Sequence, residues 1–176
     1  MPNFILKSGY VDAYFKDRLG LEPFDPLCDA KYMKSKAKSR TLAIKSFILD
    51  QSVIAGVGNI YSDEALFDAK ISPFKSANRL SLSEWEQLIT SIRKILSLAL
   101  ESGGSTISSL AVSHDINGLF QQQLQVYARQ GQACKLCSQT LVKARINGRS
   151  CVYCLNCQKV SQHAHRHHRI TGIRKK

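Results

Sequence analysis

A chain of 176 residues, 44% of them apolar and 22% charged, has ordinary globular composition, with room for one moderate core and a small satellite. No run approaches the roughly 18 apolar residues of a membrane span, and the start MPNFILKSGYVDAYFKDRLG lacks the basic-then-apolar order of a signal peptide. The formal net charge is +12, no acidic residue follows Asp115, and 11 Lys and Arg lie between Ile116 and Lys176; such an excess suits a polyanion, nucleic acid above all, against the alternative of a solvated basic tail.

Residues 1–24 are weakly patterned and read as an N-terminal segment or linker. In RLGLEPFDP, Asp25 is placed as an N-cap and Pro26 at the first position of a helix over 26–36. The basic cluster Lys34, Lys36, Lys38 and Arg40 follows. A second helix is expected over 39–49, with Leu42, Ile44, Phe47 and Ile48 largely on one side. DQSVIAGVG interrupts the helical pattern, because two glycines in three residues disfavour continuation. A third helix begins near Asn59, with Asp63 and Glu64 early enough to favour its positive end, and closes near Lys70.

The fourth helix opens on a capping box, either Ser81 with Glu84 or Ser83 with Glu86. Trp85, Leu88, Ile89, Ile92, Ile95, Leu96 and Ala99 recur at steps of three and four and form one apolar face. Gly103 and Gly104 end it, and 103–118 reads as an exposed loop. LFQQQLQVYARQG is a short helix or an extended connector. The sequence thus divides into a helical domain over 25–126, a cysteine-rich unit over 127–160 and a basic tail over 161–176.

The absence of a leader implies a cytosolic location, cytoplasmic and nucleoid-associated in a bacterium, where disulfides are rare and six cysteines need another role. Cys134-x-x-Cys137 and Cys154-x-x-Cys157, separated by 16 residues, have the spacing of a four-thiolate zinc ribbon. The spacer reads as a β-hairpin turning at Asn147-Gly148. About 30 residues cannot bury enough apolar surface to fold alone, so one structural Zn²⁺ is expected to supply much of the stability. Cys151 also stands three residues before Cys154, but Cys157 is preferred as fourth ligand because the hairpin then closes symmetrically. Cys28 reads as a small apolar residue of the first helix. The run HAHRHHR, 163–169, reads as a basic extension, with His163 a ligand only if a knuckle fails.

A helix N-terminus offers unpaired N–H groups and a positive dipole end to an anion. Gly56 and Gly58 leave the backbone bare before Asn59, which adds an amide donor; a nucleic-acid phosphate is the expected ligand, a plain tight turn the alternative. LDQSVIAGVGNIYSDEALF, the amphipathic helix, GGST, FQQQLQVYARQG and the CxxC–CxxC ribbon with NGRS in its hairpin together resemble the formamidopyrimidine-DNA glycosylase/endonuclease VIII family, over about residues 21–159. The resemblance implies a mainly α fold: a helix–two-turn–helix domain followed by a small four-cysteine zinc-ribbon hairpin. It implies a base-excision-repair function on double-stranded DNA with a damaged or abasic nucleotide. By position it makes Gly58 and Asn59 phosphate ligands, Arg149 the arginine that clamps the phosphates flanking a flipped nucleotide, Lys143 a further phosphate contact and Tyr127 the family's VYGR tyrosine. Ser105, Thr106 and Ile107 fall in the loop that covers the extruded base. Leu119, where an aromatic is frequent, and Ala128, where a glycine is frequent, depart from the pattern and bear on lesion preference.

The resemblance covers the family's C-terminal half. Its relatives begin with a β-rich domain headed by Pro-Glu-Leu-Pro-Glu, whose N-terminal proline amine attacks the sugar. That domain is expected to be absent here. Pro2 would follow a removed Met1, but Asn3 stands where the acid is needed, so no catalytic residue is assigned, Pro2 included. Three readings remain open: a DNA-binding portion that is catalytic only with a separate chain, a short enzyme with its own amine nucleophile, and an RNA-binding zinc-ribbon module.

Overall fold

The computed structural model describes residues 19–103 and 118–159. Pro2, the expected lesion-loop residues Ser105, Thr106 and Ile107, and the basic tail with His163 lie outside them. Among the described residues the chain is mainly helical with one two-stranded sheet, and no helix is long and apolar enough to cross a membrane.

The first helix, α1, is Ala30–Ala37 and not 26–36. Its cap is Asp29, whose Oδ1 accepts the Tyr32 N–H at 2.7 Å. Asp25 instead closes a turn: its carboxylate accepts the Leu27 N–H at 2.8 Å and its carbonyl the Cys28 N–H at 2.9 Å. Asp-Pro at the first two positions of a β-turn is as favourable as Asp-Pro at a helix start, and here the turn wins. Arg93 holds that turn from below, donating to the carbonyls of Pro23 at 2.7 Å and Cys28 at 3.1 Å. Cys28 is fully buried, as expected of an apolar residue, but in the turn and not the helix.

The second helix, α2, is Ile44–Ile48, shorter than the expected 39–49. Residues 40–44 give their backbone groups to a distant segment. The Ile44 N–H donates to Lys75 O at 2.7 Å, while Leu42 O and Arg40 O accept from Ala77 and Asn78 at 3.0 and 3.1 Å. That antiparallel pairing, bridged at Ala43 and Ser76, draws the first turn of the expected helix into an extended strand-like stretch.

Helix α3, Asn59–Asp68, starts where expected, with Gly58 as N-cap. It ends in a Schellman motif: Ile71 N–H donates to Leu66 O and Lys70 N–H to Phe67 O, both at 3.0 Å, with Lys70 left-handed at φ 56°. Helix α4, Leu82–Gly103, opens on the Ser81–Glu84 capping box. Ser81 N–H donates to Glu84 Oε2 at 2.8 Å, and Glu84 N–H to Ser81 Oγ at 3.2 Å. Trp85, Leu88, Ile89, Ile92 and Ile95 are buried on its inner face against α1 and α3. LFQQQLQVYARQG resolves as a short helix, α5, Gly118–Gln123, followed by turns.

Strands β1, Val142–Ile146, and β2, Arg149–Tyr153, pair antiparallel with Ile146 opposite Arg149. The two residues between them, Asn147 and Gly148, are left-handed at φ 47° and 77°, the geometry of a type I′ hairpin turn. The hairpin is not a free satellite. Phe67 of α3 is buried among Val126, Leu141, Val152 and Cys154, and Phe74 meets Tyr153 edge-on with ring centroids 5.1 Å apart.

Candidate metal centre and phosphate-binding turn

The sulfurs of Cys134, Cys137, Cys154 and Cys157 lie within 4.8 Å of one another. Cys134 to Cys157 measures 3.9 Å and Cys137 to Cys154 measures 3.5 Å. A tetrahedral cation with thiolate bonds of about 2.3 Å sets its sulfurs about 3.8 Å apart, so the four fit one such ion. Each knuckle presents backbone amides to its sulfurs. The Gln139 N–H, and then the Asn156 side chain, pull the Cys137 thiol down to about 6. Burial and the neighbouring sulfurs push Cys157 up, so a shared cation is what would let all four ionise. Cys151 is not among them. It pairs with Ala144 in the hairpin register and is fully buried in a separate cluster with Ile146 and Tyr153.

The hairpin is strapped to the helices by buried polar groups. Lys45, on α2, is fully buried; its Nζ donates to Asp63 Oδ1 at 2.6 Å and to Ser150 O at 2.5 Å. Asp63 Oδ2 accepts the Val152 N–H at 3.1 Å. Burial pushes the Asp63 carboxyl up, against the opposing pull of the Lys45 ammonium. Next to it, Glu64 accepts the N–H groups of Gln125, Val126 and Tyr127 at 2.8–2.9 Å. Gln158 accepts from Cys154 N–H and donates to Ile71 O, both at 3.0 Å. Asn147, at the hairpin tip, donates to Ser46 Oγ at 2.9 Å.

These contacts correct the placing of Asp63 and Glu64 at the helix's positive end, since no acid lies in the first turn of α3. Both are 2% exposed and bind other segments. The signal was present: stepping from Ile60 by three and four residues to Phe67 passes through both acids, which puts them on the buried face.

The turn before α3 is built tightly. The Gln51 side chain spans it, accepting the Gly56 N–H at 2.8 Å and donating to Val57 O at 3.1 Å. Tyr32 Oη donates to Val53 O at 2.9 Å, and Leu21 forms a parallel bridge with Ile54. Gly20 packs beneath, where a Cβ would stand 2.2 Å from Val53 O. Gly56 is left-handed at φ 81° and needs to be glycine. Gly58 is different: at φ −93° any residue fits, and a Cβ there would meet only Tyr61 Cδ2 at an ordinary 3.8 Å. Nothing within the described residues requires a bare backbone at Gly58. No side chain caps the helix there, and Asn59 has its Oδ1 buried without a partner.

Gly58, Lys143 and Arg149 are exposed; Asn59 and Tyr127 are half-buried. The straps tie the carriers of these groups to one helix. Asn59 opens α3, and Asp63 lies about one turn further on. Lys143 pairs with Val152, whose N–H rests on Asp63; Arg149 precedes Ser150, whose carbonyl takes Lys45; Tyr127 N–H rests on Glu64.

A profile of the formamidopyrimidine-DNA glycosylase H2TH domain matches residues 19–111. The formamidopyrimidine-DNA glycosylase of Rickettsia canadensis is 42% identical over 155 residues, covering 88% of this chain and 57% of that protein. That of Vibrio cholerae is 39% identical over 141 residues, covering 80% and 52%. The chain therefore spans a little over half the length of these relatives. Among solved structures, a complex of the Lactococcus lactis enzyme with DNA containing an abasic site superposes with a TM-score of 0.75 at 36% identity, over 87% of this chain and 56% of that one. The Thermus thermophilus protein gives 0.72 at 34% identity, over 86% and 58%.

Proposed function

This chain belongs to the formamidopyrimidine-DNA glycosylase family, and from that premise we propose that it grips one strand of a DNA duplex around a damaged or abasic nucleotide. In this reading the α3 N-terminus at Gly58 and the Asn59 amide hold one phosphate. Arg149, with Lys143 beside it on the hairpin, holds phosphates next to the extruded nucleotide. Tyr127 lines the same side, and Ser105, Thr106 and Ile107 cover the base.

Extruding a nucleotide costs a few kcal/mol. Charge-assisted contacts to phosphate contribute about 1.5–3 kcal/mol each, so two or three of them offset that cost. The observation that carries the reading is the bare Gly58: beyond a mild N-cap preference, nothing in the packing of the described residues asks for glycine there, and close approach by an external anion does. Four thiolates at zinc-like separations supply the second half. A Zn²⁺ held by Cys134, Cys137, Cys154 and Cys157 would close the hairpin's base and keep Arg149 extended, and its role is structural. The reading assigns the attack on the sugar to groups other than those described, on this chain or on a second one.

The test is fluorescence anisotropy with zinc-loaded protein and three probes: an abasic-analogue duplex, an undamaged duplex and a structured RNA. Preference for the abasic duplex is expected, and Arg149→Ala is expected to weaken it and to shallow the salt dependence by about one unit per lost phosphate contact. Equal binding to all three probes, or preference for the RNA, overturns the reading. Borohydride trapping on the abasic duplex should give no adduct through the N-terminal amine; such an adduct would make the chain a short enzyme.

A further inference from the structure

A glycine that leaves room for an anion also leaves its own peptide free to turn over. Flipping the unit between Val57 and Gly58 changes only ψ of the first residue and φ of the second, and glycine accepts φ of either sign. No acceptor among the described residues takes the N–H of Gly58, Asn59, Ile60 or Tyr61, so no bond of its own holds the Gly58 N–H in one direction. A donor meant for a phosphate needs some other constraint.

Gln51 supplies it. Its Nε2 donates to Val57 O at 3.1 Å while its Oε1 accepts the Gly56 N–H at 2.8 Å. The Val57–Gly58 peptide is trans, so its C=O and N–H point in opposite directions. A Val57 carbonyl turned onto Gln51 therefore sends the Gly58 N–H away from that side chain. The post is itself anchored, because the Gly20 N–H donates to Gln51 O at 2.7 Å and the Val57 side chain is fully buried. Gln51 is exposed and packs no core. Its amide acts as donor and acceptor at once, which neither Met nor an ionised Glu of similar length can do.

The geometry points to Gln51 as a positioning residue for DNA binding: it locks the Val57–Gly58 peptide in the orientation that presents the Gly58 N–H to a phosphate. The inference rests on the proposed grip of a DNA strand and deepens it, assigning affinity at the turn to a side chain that acts through another residue's backbone. Fixing the peptide beforehand spares the complex the cost of ordering it on binding.

The experiment uses the full chain, zinc-loaded, and abasic-analogue duplexes that carry one neutral methylphosphonate at successive positions around the abasic site. Gln51→Met should weaken binding to the all-phosphate duplex by about tenfold. It should also abolish the methylphosphonate effect at one position while leaving it at the positions that Arg149→Ala silences, since removing either partner of one contact makes removal of the other harmless. In the free protein, nitrogen-15 relaxation dispersion should show new microsecond-to-millisecond exchange at the Gly58 amide and none in α4. Gln51→Glu, which still accepts from Gly56 but cannot donate to Val57, should show the same exchange. Unchanged affinity in Gln51→Met, a loss shared equally by all positions, or a quiet Gly58 amide in both variants each overturns the inference. If no methylphosphonate weakens binding of the unaltered chain, the proposed function fails and this inference fails with it. A response to Arg149→Ala, with Gln51→Met binding as the unaltered chain does, leaves that function standing and removes only the role of Gln51.

Discussion

Replacing Lys45 by Met separates a structural account of this residue from a merely compositional one. The ammonium is wholly buried and serves Asp63 Oδ1 and Ser150 O, on two different elements. Met fills similar volume but leaves the Asp63 carboxylate, 1% exposed at its side chain, with only the uncharged Val152 N–H and Cys151 thiol as donors. Removing one member of a buried pair costs about 3–5 kcal/mol, a large part of the 5–15 kcal/mol typical of a whole domain. At about 2–4 °C per kcal/mol for a chain of this size, Tm should fall by about 6–20 °C. The loss should also depend on pH. Burial already raises the Asp63 carboxyl, and deleting Lys45 removes the main opposing pull. A carboxyl raised in the folded state above its unfolded value, about 3.9, contributes stability that is present below that value and lost as pH rises through the folded pKa. The deficit of Lys45→Met relative to the unaltered chain should therefore be smaller near about pH 5 than near about pH 8. Lys45→Met/Asp63→Leu removes both charges and should recover most of the stability, to within about 1–2 kcal/mol, the remainder being the abandoned Val152 N–H. Urea unfolding of zinc-loaded protein at the two pH values measures all of this. A cost for Lys45→Met below about 1 kcal/mol, or a deficit that is the same at both pH values, refutes the account.

Gly58→Ala, which loses only an N-cap preference, should cost about 0.5–1 kcal/mol of stability yet weaken abasic-duplex binding, whereas Gly56→Ala, at φ 81°, should destabilise by about 1 kcal/mol or more; parallel melts and anisotropy titrations compare them. Chelating the metal should release the hairpin while most helical circular dichroism survives at room temperature. The lost straps at Asp63, Glu64 and Gln158 should still lower the helical melt by several degrees, and an unchanged helical melt would show two independent units. For Glu84, burial acts upward but Lys75 and the Ser81 N–H prevail, so its carboxyl lies below the usual value. Its stabilisation is present above the unfolded value, about 4.3, and lost as pH falls through the folded one; Glu84→Ala should cost about 0.5–1 kcal/mol at neutral pH and almost nothing near about pH 3, read from urea melts at each pH.

Features set by near neighbours in the chain were legible. The Ser81–Glu84 box, the Asn147-Gly148 turn and the two CxxC knuckles each need only a few consecutive residues, and each stands as expected. The errors lie where distant backbone competes for the same groups. Residues 40–44 could have been helix, but 75–78 offered partners, and Asp25-Pro26 fits a turn as well as a cap. The preference for Cys157 over Cys151, drawn from a hairpin that closes symmetrically, agrees with the sulfur cluster, and the register shows why: Cys151 lies in a different buried cluster. Lys45 and Gln51 gave no local sign of their roles, because a buried ammonium and a loop-spanning amide are defined by what they meet 105 and 6 residues away.

The Lys45–Asp63 pair also has a mechanical meaning. Because one ammonium ties a helix before the glycine turn to the carbonyl next to Arg149, force on the guanidinium is passed directly to the framework carrying Gly58. If a strand lies across both as proposed, the molecule acts as a calliper whose jaws are fixed at the joint. It would tell a B-form strand from an A-form one by span alone, without reading the 2′-hydroxyl. Loosening that joint should therefore blur the choice between DNA and RNA before it abolishes binding to either.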